Sequence, residues 1–126
     1  MGRIILITGA ALLLVASASA RVQLSVYGQA KSEAAKYGVV GQLWECTKAL
    51  ITRENGNPPA KWNPKERAGS GAYGLPQALP GSKMASEGAD WATSPRTQMR
   101  WMIKYMKGRY GGPCQADSYQ RNNNYY

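Results

Sequence analysis

Mostly apolar residues recur at steps of three and four positions in the middle of the chain, which predicts a helix with one buried face. Asn55 and Gly56 follow this segment, and both residue types tolerate the left-handed conformation in which many helices end. Two prolines come next and reinforce the stop. We therefore predict a helix that ends at Asn55-Gly56 and buries the residues of this repeat, which are Val40, Leu43, Trp44, Thr47, Leu50 and Ile51.

A second periodic segment lies nearer the C-terminal end of the chain. Ser94 suits the N-cap position and Pro95 the first helical position. Gly111-Gly112-Pro113 predicts where this helix ends. The predicted buried stripe consists of Met99, Met102, Ile103, Met106 and Tyr110. Four basic residues fall on another face of the helix, namely Arg96, Arg100, Lys104 and Lys107.

The segments around these helices have no long regular pattern. Residues 57–91 are rich in Gly, Pro, Ser and Asn, which predicts loops, and loops of this length in a small domain are usually functional. Residues 21–38 are expected to form a short lead-in, partly helical from Gln29 to Tyr37. No alternating strand pattern of useful length follows the first twenty residues. We predict a mainly α fold, with one domain over residues 39–126.

The first twenty residues have the features of a secretory signal peptide. Arg3 supplies a positive start, Ile4 to Val15 is an apolar run, and Ala18-Ser19-Ala20 is a pattern that signal peptidase accepts. We expect cleavage after Ala20 and a secreted protein. An uncleaved membrane anchor is the alternative, because the uncharged stretch is only slightly shorter than the roughly 20 residues that a span prefers.

The composition narrows the possible partners and chemistry. The net charge of +9 predicts attraction to polyanions, although solubility alone is a simpler explanation. Export favours the anionic polymers of a bacterial cell wall over nucleic acid, for which no groove-reading motif is present. The absence of His excludes Ser-His and Cys-His pairs and His-ligated zinc, so carboxylate chemistry on sugars remains. The 4 Trp and 8 Tyr residues suit stacking on sugar rings, or simply fill the core in place of Phe.

The two cysteines, Cys46 and Cys114, are expected to form a disulfide in an exported chain. Closing a loop of this length stabilises the fold by about 4 kcal/mol in the chain-entropy model. Two free thiols and a thiol nucleophile are the alternatives, and both are weak without a histidine partner.

Glu54 is the candidate for catalysis. It lies one step beyond Leu50 and Ile51 on the apolar stripe, and in the last turn of its helix, where the helix dipole disfavours a negative charge. A Glu against apolar neighbours has a raised pKa, which is what a general acid near neutral pH requires. A frayed, exposed helix end is the alternative interpretation.

Several motifs accompany Glu54 in a fixed order along residues 43–126. They are Arg53-Glu54-Asn55, Asn63-Pro64, Gly71-Ala72-Tyr73-Gly74-Leu75-Pro76-Gln77, Ala78-Leu79-Pro80-Gly81-Ser82-Lys83-Met84, Gly88-Ala89-Asp90-Trp91 and Arg109-Tyr110-Gly111-Gly112-Pro113. This set resembles the soluble lytic transglycosylase superfamily, and most closely its actinobacterial and aggregation-promoting-factor branch. The chain departs from that pattern at Asn55 in place of Ser, at Pro76 in place of Met, at Tyr119 in place of a frequent His, and in its Asn124-Tyr125-Tyr126 ending.

The resemblance implies a small lysozyme-like fold and a role for each matching residue. Gln77 would hydrogen-bond the N-acetyl or hydroxyl groups beside the scissile bond, and Asn55 would keep a donor and an acceptor near the substrate. Tyr73 would line the cleft, with core packing as the alternative role. Tyr105 is a weaker candidate for the cleft wall.

The implied reaction uses one carboxyl group and needs no metal or cofactor. Glu54 would protonate the oxygen between N-acetylmuramic acid and N-acetylglucosamine and then deprotonate the muramic C6 hydroxyl, which attacks C1. Glu66 and Asp90 match no second catalytic position of the branch. The expected partners of this monomer are peptidoglycan strands and anionic wall polymers. The alternatives are a muramidase that hydrolyses the same bond and a non-catalytic, basic wall-binding or surface-assembly module.

Overall fold

The computed structural model describes residues 24–126, so the predicted signal peptide and the start of the lead-in lie outside the described residues. Four α-helices follow one another in this part of the chain: α1 (Val26–Lys36), α2 (Gln42–Asn55), α3 (Pro95–Tyr110) and α4 (Pro113–Asn123). Two 3₁₀ helices, Pro59–Lys61 and Gly81–Glu87, lie in the long connection between α2 and α3. Within residues 24–126 the β pairing consists of two isolated bridges, which confirms the predicted mainly α class.

None of the helices in residues 24–126 has the length and apolar character needed to cross a membrane.

Helix α3 lies at the centre of the fold, in contact with α1 and with α4. Four of the five residues in its predicted stripe are buried, and the fifth, Tyr110, is partly buried at the edge of the same core. The Ser94 side chain accepts a hydrogen bond from the Thr97 backbone N–H at 3.2 Å, and Gly111 ends the helix in the left-handed conformation with φ of 94°. Local capping therefore defines both ends of α3, as predicted.

Helix α2 buries Trp44, Thr47, Leu50 and Ile51, as its periodicity predicts. The prediction is wrong for Val40 and Leu43, whose exposed fractions are 55% and 41%. Val40 precedes the first residue of the helix, and Leu43 lies about 100° around the helix from the buried Trp44. The buried face is therefore narrower at its start than the spacing alone suggests.

Helices α1 and α4 differ from the sequence prediction. α1 begins at Val26 rather than Gln29, because the Ser25 side chain caps it by accepting from the Gly28 N–H at 3.0 Å. α4 was not predicted, since Gly111-Gly112-Pro113 indicated only an end. Pro113 is in fact the first residue of the next helix, a position that needs no backbone N–H donor.

The structure pairs Cys46 with Cys114, the disulfide that the sequence predicts. The bridge joins α2 to the first turn of α4, with the two Cα atoms 5.0 Å apart. The disulfide therefore fixes the first turn of α4 against α2.

A buried carboxylate ties α1 to α3. Glu33 is 3% exposed and its two oxygens lie 3.5 Å from Arg96 Nη1 and 3.0 Å from Arg100 Nη1. Burial by itself would raise the pKa of Glu33, but hydrogen bonds from Arg100 and Lys36, with their positive charges, outweigh it, so its pKa is lowered. Lys104 pairs in turn with Glu87 at 2.9 Å. Three of the four basic residues on this face of α3 thus have acidic partners within the fold.

Candidate active site

Glu54 is half-buried in the last turn of α2 and opens on a cleft of about 380 Å³. The helix positions it there because Leu50 and Ile51, one turn earlier on the same face, are fully buried in the core. Among the described residues that line this Glu54 cleft, Glu54 has the one acidic side chain. The lining consists of Glu54, Ala68, Ser70, Ala72, Gln77, Leu79, Asn124, Tyr125 and Tyr126.

Burial raises the pKa of Glu54, because desolvation disfavours the charged form. A hydrogen bond from Gln120 and the positive charge of Arg53 oppose this effect without cancelling it. Glu54 therefore keeps its proton to a higher pH than an exposed Glu does, which suits it to donate that proton to a bound molecule.

A second, smaller cavity of about 130 Å³ adjoins the Glu54 cleft and shares Gln77, Leu79 and Tyr126 with it. Its far wall contains Trp101 and Tyr105, whose rings stack with centroids 4.9 Å apart and an interplanar angle of 12°. We call this space the aromatic cavity. The shared residues place the two spaces side by side, with the Glu54 carboxyl group in one and flat aromatic rings in the other, and we refer to the two together as the groove.

Gln77 lines both parts of the groove. Its backbone has φ of 54°, and its Nε2 donates to the carbonyl oxygens of Gly74 at 2.9 Å and Glu66 at 3.2 Å. Both amide hydrogens are thus used within the loop. The side-chain carbonyl oxygen is the polar atom that Gln77 can offer to a ligand, and it would accept from an N–H or hydroxyl group.

Two of the predicted site residues serve the framework of the groove rather than its lining. Asn55 Nδ2 donates to the carbonyl oxygens of Asn63 at 3.0 Å and Gly74 at 2.9 Å, and its Oδ1 accepts from the Asn63 N–H at 2.6 Å. Tyr73 is 8% exposed, and its hydroxyl donates to the Ala92 carbonyl at 2.6 Å. The hydrogen bonds of Asn55 therefore hold the loop segments at Asn63 and Gly74 against the end of α2. Tyr73 packs in the core, which is the alternative role given for it above.

The two other loop carboxylates lie away from the lining. Asp90 accepts a hydrogen bond from the Thr97 hydroxyl at 2.6 Å, next to the first turn of α3, and Glu66 is exposed. Neither residue lines the Glu54 cleft or the aromatic cavity.

The last residues of the chain form one wall of the groove, which the sequence analysis did not predict. Asn124 has φ of 63° and ends α4, so the chain turns back toward the cleft. The Tyr126 hydroxyl donates to the Pro76 carbonyl at 2.7 Å, and its ring meets Tyr105 edge-on at 5.5 Å. Burial, followed by the nearby charge of Glu54, raises the pKa of Tyr126 well above its usual value. The tyrosine-rich ending was the one sequence signal that pointed to this wall.

Helix α4 also brings a polar network to Glu54 that sequence reasoning missed. Arg53 pairs with the Asp117 carboxylate and donates from its Nε to the Gln120 side-chain oxygen at 2.5 Å. Gln120 Nε2 in turn donates to Glu54 Oε1 at 3.4 Å. Because Gln120 and Glu54 are 66 positions apart, no local pattern could have joined them.

No family model, curated protein or solved structure matches this chain.

Proposed function

We propose that this protein is a lytic transglycosylase with a lysozyme-like fold, which cleaves peptidoglycan between N-acetylmuramic acid and N-acetylglucosamine. The observation that carries the proposal is the half-buried carboxyl group of Glu54, with its raised pKa, which is the one acidic side chain among the described residues of the cleft. The ordered motifs from Arg53 to Pro113 support the same assignment.

The proposed reaction uses Glu54 twice. The protonated carboxyl group donates its proton to the bridging oxygen as the bond from that oxygen to C1 of the muramic residue breaks. The resulting carboxylate then takes the proton of the C6 hydroxyl, and the C6 oxygen forms a new bond to C1. The products are a 1,6-anhydro sugar and a free hydroxyl group. Glu54 ends protonated, no water is consumed, and a second carboxylate is not required.

Other features of the groove fit a glycan strand. The aromatic cavity offers ring faces and edges of the kind that pack on sugars, and Gln77 offers an acceptor for an acetamido N–H or a hydroxyl group. Lys83 lies at the same cavity, and the net charge of the chain is +9. These charges favour approach to anionic wall polymers.

The test compares Glu54→Gln with Glu66→Gln on purified sacculi, with products identified by mass spectrometry. Gln keeps the volume of Glu but cannot donate a proton, so Glu54→Gln should lower the release of 1,6-anhydromuropeptides by a factor of about 10² or more. Glu66→Gln removes an exposed carboxylate outside the groove and should leave the rate near that of the unmodified protein.

The fold of Glu54→Gln should survive. A carboxyl group with a raised folded-state pKa contributes stability below its unfolded pKa, and this contribution is lost as the pH rises through the folded value. Gln cannot ionise, so the variant should be at least as stable as the parent protein at neutral pH. Retention of more than about a tenth of the activity would refute the role of Glu54. Products with reducing ends would identify water as the acceptor, and binding to sacculi without release of fragments would indicate a non-catalytic wall-binding module.

A further inference from the structure

We propose that Gln120 is a positioning residue for Glu54, and that Arg53 and Asp117 set the orientation of its amide group. Gln120 would direct one N–H at Glu54 and stabilise the carboxylate that the second step needs. The consequence for catalysis rests on the proposed function of Glu54, whereas the consequence for its protonation does not.

The orientation of the Gln120 amide follows from the chemistry of its neighbours. The Arg53 guanidinium can only donate hydrogen bonds, so the side-chain oxygen of Gln120 faces Arg53 and its NH₂ group faces Glu54. Arg53 is itself held by Asp117, which precedes Gln120 by one turn on α4. Gln120 is 9% exposed and the Asp117 side chain 10%, whereas the Arg53 side chain is 33% exposed, so water competes little at the Gln120 amide itself.

Among the described residues, Gln120 is the neutral side chain that donates a hydrogen bond to Glu54. Arg53 supplies a positive charge from the same helix, and the phenol groups of Tyr125 and Tyr126 lie on the side of the tail. The negative charge of Asp117 is balanced by Arg53 and by Arg121. The loop residues that line the Glu54 cleft, which are Ala68, Ser70, Ala72, Gln77 and Leu79, carry no titratable group.

The distance from Gln120 Nε2 to Glu54 Oε1 is 3.4 Å, which is long for a hydrogen bond. Catalytic hydrogen bonds are often long in a free enzyme and shorten when the substrate is bound and charge develops. A donor to the carboxylate favours the ionised form and lowers the pKa of the carboxyl group. Gln120 thus strengthens Glu54 as an acid in the first step and holds the carboxylate in one orientation for the second.

Two substitutions at Gln120 separate this role from simple packing. Gln120→Met keeps the length of the side chain but removes both the donor to Glu54 and the acceptor for Arg53. Gln120→Glu keeps the shape and an acceptor for Arg53, but presents an oxygen to Glu54 in place of an N–H. Gln115→Met, on an exposed position of the same helix, is the matched control.

The readouts are the pH dependence of kcat on purified glycan strands and the titration of Glu54 followed by carbon-13 NMR. In Gln120→Met we expect the Glu54 pKa and the high-pH limb of kcat to move upward together by about half a pH unit or more. The shift should be larger in Gln120→Glu, where a second anion opposes ionisation. The value of kcat should fall in both variants, and Gln115→Met should change neither the pKa nor kcat.

An unchanged Glu54 titration and pH limb in a folded Gln120→Met variant would overturn the proposal. If that variant does not fold, Gln120→Glu decides by the same two readouts. The proposed function is tested separately. If the Glu54 pKa shifts in the Gln120 variants while Glu54→Gln keeps full activity, Gln120 positions Glu54 but Glu54 is not catalytic. If Glu54→Gln is inactive but the Glu54 titration is unchanged in the Gln120 variants, Glu54 is catalytic and Gln120 does not position it.

Discussion

Gln98 holds together three segments of the chain, one of which continues from Leu75 into the lining of the groove. It is fully buried on α3, and its Oε1 accepts from the Leu75 N–H at 2.9 Å. Its Nε2 donates to the carbonyl oxygens of Pro64 and Trp91, each at 2.8 Å. The approach is so close that a Cβ placed on Gly74 would lie 2.7 Å from Gln98 Oε1. We therefore predict that the stability of the long α2–α3 connection depends on this one amide group.

The substitution Gln98→Met tests this dependence. Met has a similar length and fits a buried site, so the cost should come from hydrogen bonds rather than from a cavity. Three backbone groups would lose their partner, at about 1–3 kcal/mol for each buried group left unsatisfied. Allowing for partial relaxation, we expect the free energy of unfolding to fall by about 3–6 kcal/mol. This is a large part of the 5–15 kcal/mol that is typical of a domain.

The assay is equilibrium unfolding in urea, monitored by tryptophan fluorescence, with Gln115→Met as the exposed helical control. The control should change the free energy of unfolding by no more than about 0.5 kcal/mol. Because Leu75 lies next to Pro76 and Gln77 in the groove, the proposed glycan cleavage should fall in Gln98→Met by more than the loss of folded protein explains. A decrease below about 1 kcal/mol at an unchanged m value would show that the three backbone groups find other partners, contrary to this reasoning.

Two further predictions concern the contacts that join the helices. Reduction of the Cys46–Cys114 bridge should remove about 4 kcal/mol of stability, which in a domain of this size lowers the melting temperature by well over ten degrees. Calorimetry with and without reductant measures the change, and an unchanged melting temperature would contradict the stabilising role. Glu33 has a lowered pKa, so its contribution is present above its unfolded pKa and is lost as the pH falls through the folded value. Urea titrations should therefore show that the parent protein exceeds Glu33→Gln in free energy of unfolding by most near neutral pH and by less in acid. A difference that does not change with pH would exclude the ionisation of Glu33 as its cause.

The sequence by itself determined the features that rest on local interactions. The helix periodicity of α2 and α3 and the caps at Ser94, Gly56 and Gly111 involve residues within a turn or two of one another, and the structure places these elements where the pattern predicts them. The position of Glu54 on the buried stripe follows from the same periodicity, because helical geometry fixes the face of a residue three or four steps from its neighbours.

Other features depended on which elements pack together, and only the tertiary structure decided them. A proline after Gly111-Gly112 is compatible both with the end of α3 and with the start of another helix. The disulfide and the Arg53–Asp117 pair hold α4 in place through residues that are distant along the chain. Asn55 and Tyr73 share the predicted motifs, yet their polar atoms satisfy backbone groups of neighbouring segments. Gln120 and Tyr126 reach Glu54 only because α4 docks on α2, and side chains more than sixty positions apart meet through packing, which a local pattern does not encode.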